Sequence, residues 1–176
     1  MEKLPASHQQ FILHWGEMGT RWGINRTVAQ IHALLYLSPV PIHAESIAET
    51  LQVARSNVSN SLKELQGWGL VHLVHIMGDK RDHFESIKDV WEMFRIIADE
   101  RKRREIDPTR EMLHQFLTAP GKDLDPYTRD RLQALSEFFE TTSAWYTQIS
   151  RWPRGIVVRF AGMGDKAWKL LGLKGG

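Results

Sequence analysis

The chain of 176 residues is long enough to bury a core of its own, and with 42% hydrophobic and 25% charged residues it reads as an ordinary globular protein, not a disordered one. It has no cysteine, which excludes disulfides, thiolate metal sites and cysteine nucleophiles, and no run approaches the roughly 18 uninterrupted apolar residues that a membrane span requires. A formal net charge of +2 is only mildly basic, so any case for nucleic-acid binding must rest on where the cations cluster. With no secretory signal in the first residues, the expected location is the cytoplasm.

Over residues 5–23 the apolar side chains Phe11, Trp15, Met18 and Trp22 recur at spacings of four, three and four, a heptad-like helical seam. A small core has little room for such a stripe, so the expected recipient is a second copy of the chain. Asn25 or Thr27 caps the next helix, which runs to Leu37 with Val28, Ile31, Leu34 and Leu35 as its apolar face. Ser38-Pro39-Val40-Pro41 ends it, because residues preceding proline avoid helical backbone. A short extended piece at Ile42 leads into a helix over 44–51 with Ile47, Ala48 and Leu51 inward, and Gln52-Val53-Ala54 is a tight turn.

The helix that follows, over 55–66, is the most informative element. Val58, Leu62 and Leu65 form one apolar stripe at i, i+4 and i+7. The other positions hold Arg55, Ser56, Asn57, Ser59, Asn60 and Lys63. Serine and asparagine are mediocre helix formers, so helix propensity is sacrificed there for short donors and acceptors suited to base edges and phosphates. Glycine near 67–69 supplies a left-handed cap. Residues 70–77 read as a strand, Gly78-Asp79-Lys80-Arg81 as a turn and 82–85 as a return strand, making a β-hairpin with a basic tip. Two helices joined by a tight turn and followed by a hairpin are a winged helix-turn-helix.

Helical periodicity returns over 86–105 through Ile87, Val90, Trp91, Phe94, Ile97 and Ala98, and this helix ends in the charge run ERKRRE. Its acids answer its bases, so a solvated helix face is favoured over a second DNA contact. The helix is expected to pause at Ile106-Asp107-Pro108 and to resume over 109–117. After the breaker Ala119-Pro120-Gly121-Lys122-Asp123, a long helix carries Leu132, Leu135, Phe138, Phe139, Thr142, Trp145, Tyr146 and Ile149 on a second heptad-like stripe. The tail from Arg151 is basic, with Arg151, Arg154, Arg159, Lys166, Lys169 and Lys174 against Asp165.

The eight histidines show no i, i+4 pair, and no nucleophile–base constellation or phosphate loop is present, so no metal, no cofactor and no catalytic residues are expected and the chain is not read as an enzyme. Gly162-Met163-Gly164 lacks the third glycine of a phosphate loop. Trp91, Phe94, Trp145 and Tyr146 are the candidates for a small-molecule effector site, since aromatic faces hold quaternary ammonium groups by cation–π attraction.

With these elements laid out, LYLSP (35–39), SNVSNSLKELQGWGLV (56–71), GDKRDHFE (78–85) and DVWEMFRIIADERKRREIDP (89–108) resemble the GbsR branch of the MarR-type transcriptional regulators. The resemblance implies a dimeric winged-helix repressor, with some relatives governing osmoprotectants such as glycine betaine. It also implies that Asp79 and Arg81 form the wing's Asp-x-Arg pair, the arginine entering the minor groove and the aspartate orienting it; a narrow minor groove concentrates negative potential that a guanidinium can reach. Ala54 departs from the Ser or Thr that such proteins place at the cap of the recognition helix, at a cost of about 1 kcal/mol in helix-end stability. Later capping by Ser56 or Asn57 would shift the contact set by a residue.

The sequence thus predicts a mainly α protein with a small β wing, a winged helix-turn-helix flanked by N- and C-terminal dimerisation helices. The expected parts are an N-terminal dimerisation helix (1–24), the DNA-binding domain with its following helix (25–105), a helical dimerisation region (106–150) and a basic tail (151–176). The predicted partner is double-stranded DNA, bound by a homodimer through Arg55, Ser56, Asn57, Ser59, Asn60, Lys63, Asp79, Lys80 and Arg81. The competing expectation is a winged-helix interaction scaffold whose basic tail docks a protein or an anionic membrane surface.

Overall fold

Helix α2 (Arg26–Leu37) is apolar on nearly every side, and seven of its residues from Val28 to Leu35 are buried. It therefore needs neighbours all round. The computed structural model describes residues 4–119 and 124–163, which fall into two units that part after Ile97. In the first unit, α1 (Ala6–Arg21) covers one side of α2. The approach is close because the facing residues of α1 are small: a Cβ added to Gly19 would stand 2.5 Å from that of Ala29. Ile12 is buried in the same core, with Phe11 and Trp15 packed against it, so part of the stripe expected to await a partner is already covered within the chain. Asn25 caps α2, its Oδ1 accepting the Thr27 N–H at 2.8 Å.

The far end of α2 is closed by a residue from elsewhere. Lys88 Nζ donates to the carbonyls of Leu35, Tyr36 and Ser38 at 2.8, 2.9 and 2.8 Å. A cation suits the negative end of the helix dipole, and this one ties the segment after the wing to α2. Desolvation there lowers the Lys88 pKa.

A two-residue strand β1 (Ile42–His43) precedes α3 (Ala44–Leu51), and Gln52 in the left-handed region at φ 54 turns the chain into α4 (Arg55–Trp68). Val58, Leu62 and Leu65 of α4 are buried as their spacing predicts, joined by Ser61. Gly69 at φ 81 ends α4, a conformation that glycine adopts without strain. The hairpin follows as β2 (Val71–Val74), shorter than the sequence suggests, and β3 (His83–Ser86), one residue later than expected, with β3 in the middle of a three-stranded antiparallel sheet of order β1-β3-β2. Being central, β3 buries His83, Phe84 and Ser86 on both faces instead of alternating. Helix α5 (Val90–Arg101) starts behind an Asx cap, Asp89 Oδ1 accepting the N–H of Trp91 and of Glu92, and Met93 joins the core.

In the second unit the expected pause at Ile106-Asp107-Pro108 is absent. A π-helical turn, Lys102–Ile106, runs directly into α6 (Asp107–Thr118). The widened turn suits Pro108, which has no N–H to give and whose ring crowds the carbonyl four residues back in an α-helix. The neighbouring charge run is paired within itself: Arg101 meets Glu105 at 3.1 Å, Arg103 meets Glu100, and Lys102 meets Asp107 at 2.6 Å. Helix α7 (Pro126–Ser150) is capped by Asp125 and packs on α6, with Arg110 bridging to Glu140 through Nε at 3.1 Å and Nη2 at 2.6 Å. Helix α8 (Arg154–Met163) is the last described element. The breaker residues Pro120 to Asp123, and Gly164, Asp165, Lys166, Lys169 and Lys174 of the tail, lie outside the described residues. Among the described residues no helix is long and apolar enough to cross a membrane.

His32 is the one polar misfit of the first core. It is 4% exposed, its Nε2 has no hydrogen-bond partner among the described residues, and it lines a cavity of about 30 Å³ with Trp15, Trp22 and Trp68. Burial, with a smaller push from Lys88, drives its pKa from 6.5 down to about 4. The unfolded chain therefore takes up a proton below about pH 6.5 that the fold refuses until about pH 4, so stability is complete above that window and falls as pH drops through it. Urea titrations should show wild-type stability falling by roughly 3 kcal/mol from this group alone between pH 7 and 4. His32→Leu should flatten that slope; an unchanged acid slope in the variant would refute the assignment.

Candidate nucleic-acid interface

Helix geometry decides which side chains of α4 are available. With Val58, Leu62 and Leu65 turned to the core, the 100° step per residue carries Arg55, Ser56, Asn57, Ser59, Asn60 and Lys63 outward, and all six are exposed. They supply two cations and four short polar groups along one helix. The helix begins at Arg55, with Ala54 at the N-cap in extended backbone and no side-chain cap, so neither Ser56 nor Asn57 takes over the capping role. The exposed face of α4 therefore starts at Arg55, where the sequence places the helix start.

The wing is built by a turn in which Asp79 N–H donates to the Ile76 carbonyl at 3.1 Å and Gly78 sits at φ 85. A residue bearing Cβ is strained there. Just beyond, Asp79 grips Arg81: the guanidinium Nε donates to Oδ1 at 2.9 Å and Oδ2 at 3.1 Å, Nη2 donates to Oδ2, and the backbone N–H of Arg81 donates to Oδ1 at 3.0 Å. These bonds, the guanidinium's first, hold the Asp79 carboxyl far below the usual carboxylate range and raise the Arg81 pKa in return. Arg81 keeps 54% of its side chain in solvent, against 24% for Asp79. The aspartate is thus the tether and the arginine the presented group, with Lys80 exposed beside it.

Two residues that the sequence did not single out complete the wing. His43 Nε2 lies 2.9 Å from Arg81 Nη1, and His83 packs edge-on against His43 with ring centroids 5.5 Å apart while its Nδ1 meets the Arg81 carbonyl at 2.9 Å. No spacing rule flags a histidine 38 residues from its partner; only the pairing of β1 with β3, His43 opposite His83, brings it there. Of the aromatic candidates, Trp91 (38% exposed) and Phe94 (63%) belong to the first unit. Trp145 (60%) and Tyr146 belong to the second, where Tyr146 donates to Asp99 at 2.8 Å.

Comparison with known proteins agrees with this geometry. Residues 22–82, about a third of the chain, match the model of the MarR family. A search of the curated proteins found no match. Among solved structures the chain is similar to one described as a transcriptional regulator, with a TM-score of 0.67 and 18% identity, over 82% of this chain and 95% of that one. A mutant of S. aureus MepR bound to an oligodeoxyribonucleotide gives 0.39 and 15%, over 77% and 90%. The transcriptional regulator SlyA gives 0.38 and 14%, over 80% and 92%. The first of these likenesses is close enough to establish the fold, and the other two superpose too loosely to add to it. Residues 22–82 are thus similar to the MarR family, and the chain has the winged helix fold.

Proposed function

We propose that the chain is a sequence-specific, DNA-binding transcriptional regulator that acts as a homodimer in the cytoplasm, a repressor of the GbsR branch. The observation that carries the reading is the outward row of Arg55, Ser56, Asn57, Ser59, Asn60 and Lys63 on α4 together with a tethered, exposed Arg81 on the wing. A helix of that width and polarity fits the major groove, where each base pair presents a distinct set of donors and acceptors. Arg81 is aimed at the minor groove, whose negative potential rewards an inserted guanidinium. The uncapped first turn of α4 adds free-pointing amides at the positive end of a helix dipole, suited to a backbone phosphate.

The dimer rests on apolar surface left uncovered on two helices. Leu13 on α1 is 50% exposed, and Leu135, Phe138 and Trp145 on α7 are 43%, 60% and 60% exposed. Surfaces of that kind in soluble proteins mark contact sites. Selection of bound sequences from random DNA should return two inverted half-sites about one helical turn apart, bound with an affinity that falls steeply with salt. Recovery of no sequence motif, or of binding indifferent to salt, would overturn the proposal.

An effector belongs to the same reading, supported by the resemblance to osmoprotectant-linked regulators and by the aromatics Trp91 and Phe94 in the first unit and Trp145 and Tyr146 in the second, each pair a candidate by itself. Millimolar glycine betaine should shift the anisotropy titration of the selected duplex in the wild type, and Trp91→Ala or Trp145→Ala should remove the shift without changing affinity in its absence. A wild type indifferent to betaine ends the osmolyte reading and leaves DNA binding untouched.

A further inference from the structure

His43 stands where two parts of the domain meet. It is the last residue of β1 and the N-cap of α3, the helix that supports α4, and its ring is half-buried. Its Nδ1 lies 3.2 Å from the Ser46 N–H and 3.1 Å from Glu45 Oε2, and its Nε2 lies 3.0 Å from Ser46 Oγ and 2.9 Å from Arg81 Nη1. A neutral imidazole has a single lone pair, so the Ser46 amide at Nδ1 and Arg81 at Nε2 compete for it. An arginine has donors only, so when Nε2 faces it with the lone pair the single proton of a neutral imidazole is on Nδ1. There Glu45 Oε2 accepts it. In this state the ring gives up the Ser46 amide and serves the wing in place of the helix end.

Asp79 already occupies Nε and Nη2 of Arg81, which fixes one edge of the guanidinium. His43 holds the remaining nitrogen, Nη1, from the body of the domain. The two grips differ in kind. Asp79 sits two residues away on the same loop and moves with it, whereas His43 is anchored in β1 and α3 and fixes the guanidinium relative to α4.

We propose that His43 is a positioning residue for DNA recognition: it registers the wing arginine against the recognition helix, so that the minor-groove and major-groove readers engage one binding site together. This rests on the reading of the domain as a DNA binder. The imidazole touches no base in this role; it acts through Arg81. Preorganising a long side chain lowers the entropy lost on binding and narrows the spacing of grooves that the domain accepts.

His43→Ser separates the two jobs of the residue. A serine hydroxyl caps a helix as well as any side chain, accepting the Ser46 amide, yet is too short to reach Arg81. The probe is the fluorescein-labelled duplex recovered by selection from random DNA, titrated by anisotropy with wild type, His43→Ser, Arg81→Ala and the double variant, with thermal melts of each free protein. The expected result is a melting temperature near wild type for His43→Ser and a three- to tenfold weaker Kd, which an A·T to G·C change in the flanking minor groove no longer worsens. In the Arg81→Ala background the same substitution should add nothing, since the residue through which it acts is gone. His43→Asn, also a good cap and also too short, should repeat the result, and serves where the serine variant folds poorly. A wild-type Kd in His43→Ser and His43→Asn, or an equal loss with and without Arg81, overturns the inference while leaving the DNA-binding reading intact. A wild type that binds no selected duplex overturns the DNA-binding reading itself.

Discussion

The packing of Val58, Leu62 and Leu65 into the core beneath α2 is the interaction on which the rest depends. Each of these side chains is 2% exposed or less, and burying each stabilises the fold by about 1.5–3 kcal/mol. That stripe leaves α4 no rotational freedom. Once it is inside, the polar residues between its members stand in solvent, and the proposed base-reading face follows from the burial of the opposite one. The domain obtains a precise polar surface from a non-specific apolar force. It accepts poor helix formers on α4 because tertiary packing, not propensity, holds the helix.

The wing is secured to the same core by different means. Its β3 strand is sandwiched between β1 and β2, and Lys88, just beyond it, plugs the carbonyl end of α2. The hairpin is therefore fixed at its base and polar at its tip. Within the tip, Asp79 and His43 restrain Arg81 from two directions, so the longest side chain of the wing tip is held at both edges of its guanidinium. The cost of this design appears at His32, whose buried Nε2 has no hydrogen-bond partner among the described residues, where the core carries an acid-sensitive weakness.

How much of this was legible in the sequence depends on the length scale of the signal. The α4 stripe, the glycine at the end of α4 and the basic hairpin tip all follow from rules spanning a few residues, and the structure places each as read; of the two cap candidates Asn25 and Thr27 it selects Asn25. The Asp79–Arg81 grip came through family resemblance, and its bonds span only two residues. What escaped are contacts set by topology. His43 reaches Arg81 across 38 residues and Lys88 reaches Leu35 across 53, and neither histidine nor lysine carries a spacing signature for such a role. The unbroken helix at Pro108 escaped for another reason: a π-helical turn absorbs the proline that would normally stop the chain, and its sequence looks like any charged helix. The close seat of α1 on α2 is half legible, since the aromatic stripe marks the buried face, whereas Gly16 and Gly19, which permit the approach, carry no signal until the facing residues of α2 are known.

The central claim is that α4 and the wing read two grooves of one DNA site, with Arg81 as the minor-groove reader. Hydroxyl-radical footprinting, which reports access to the minor groove, tests it most directly. Wild type on its selected duplex should protect the minor groove flanking each half-site, and Arg81→Ala should lose those flanks while methylation protection of guanine N7 in the major groove between them persists. Flanks equally protected with and without Arg81, or a loss of both protections together, would contradict the account.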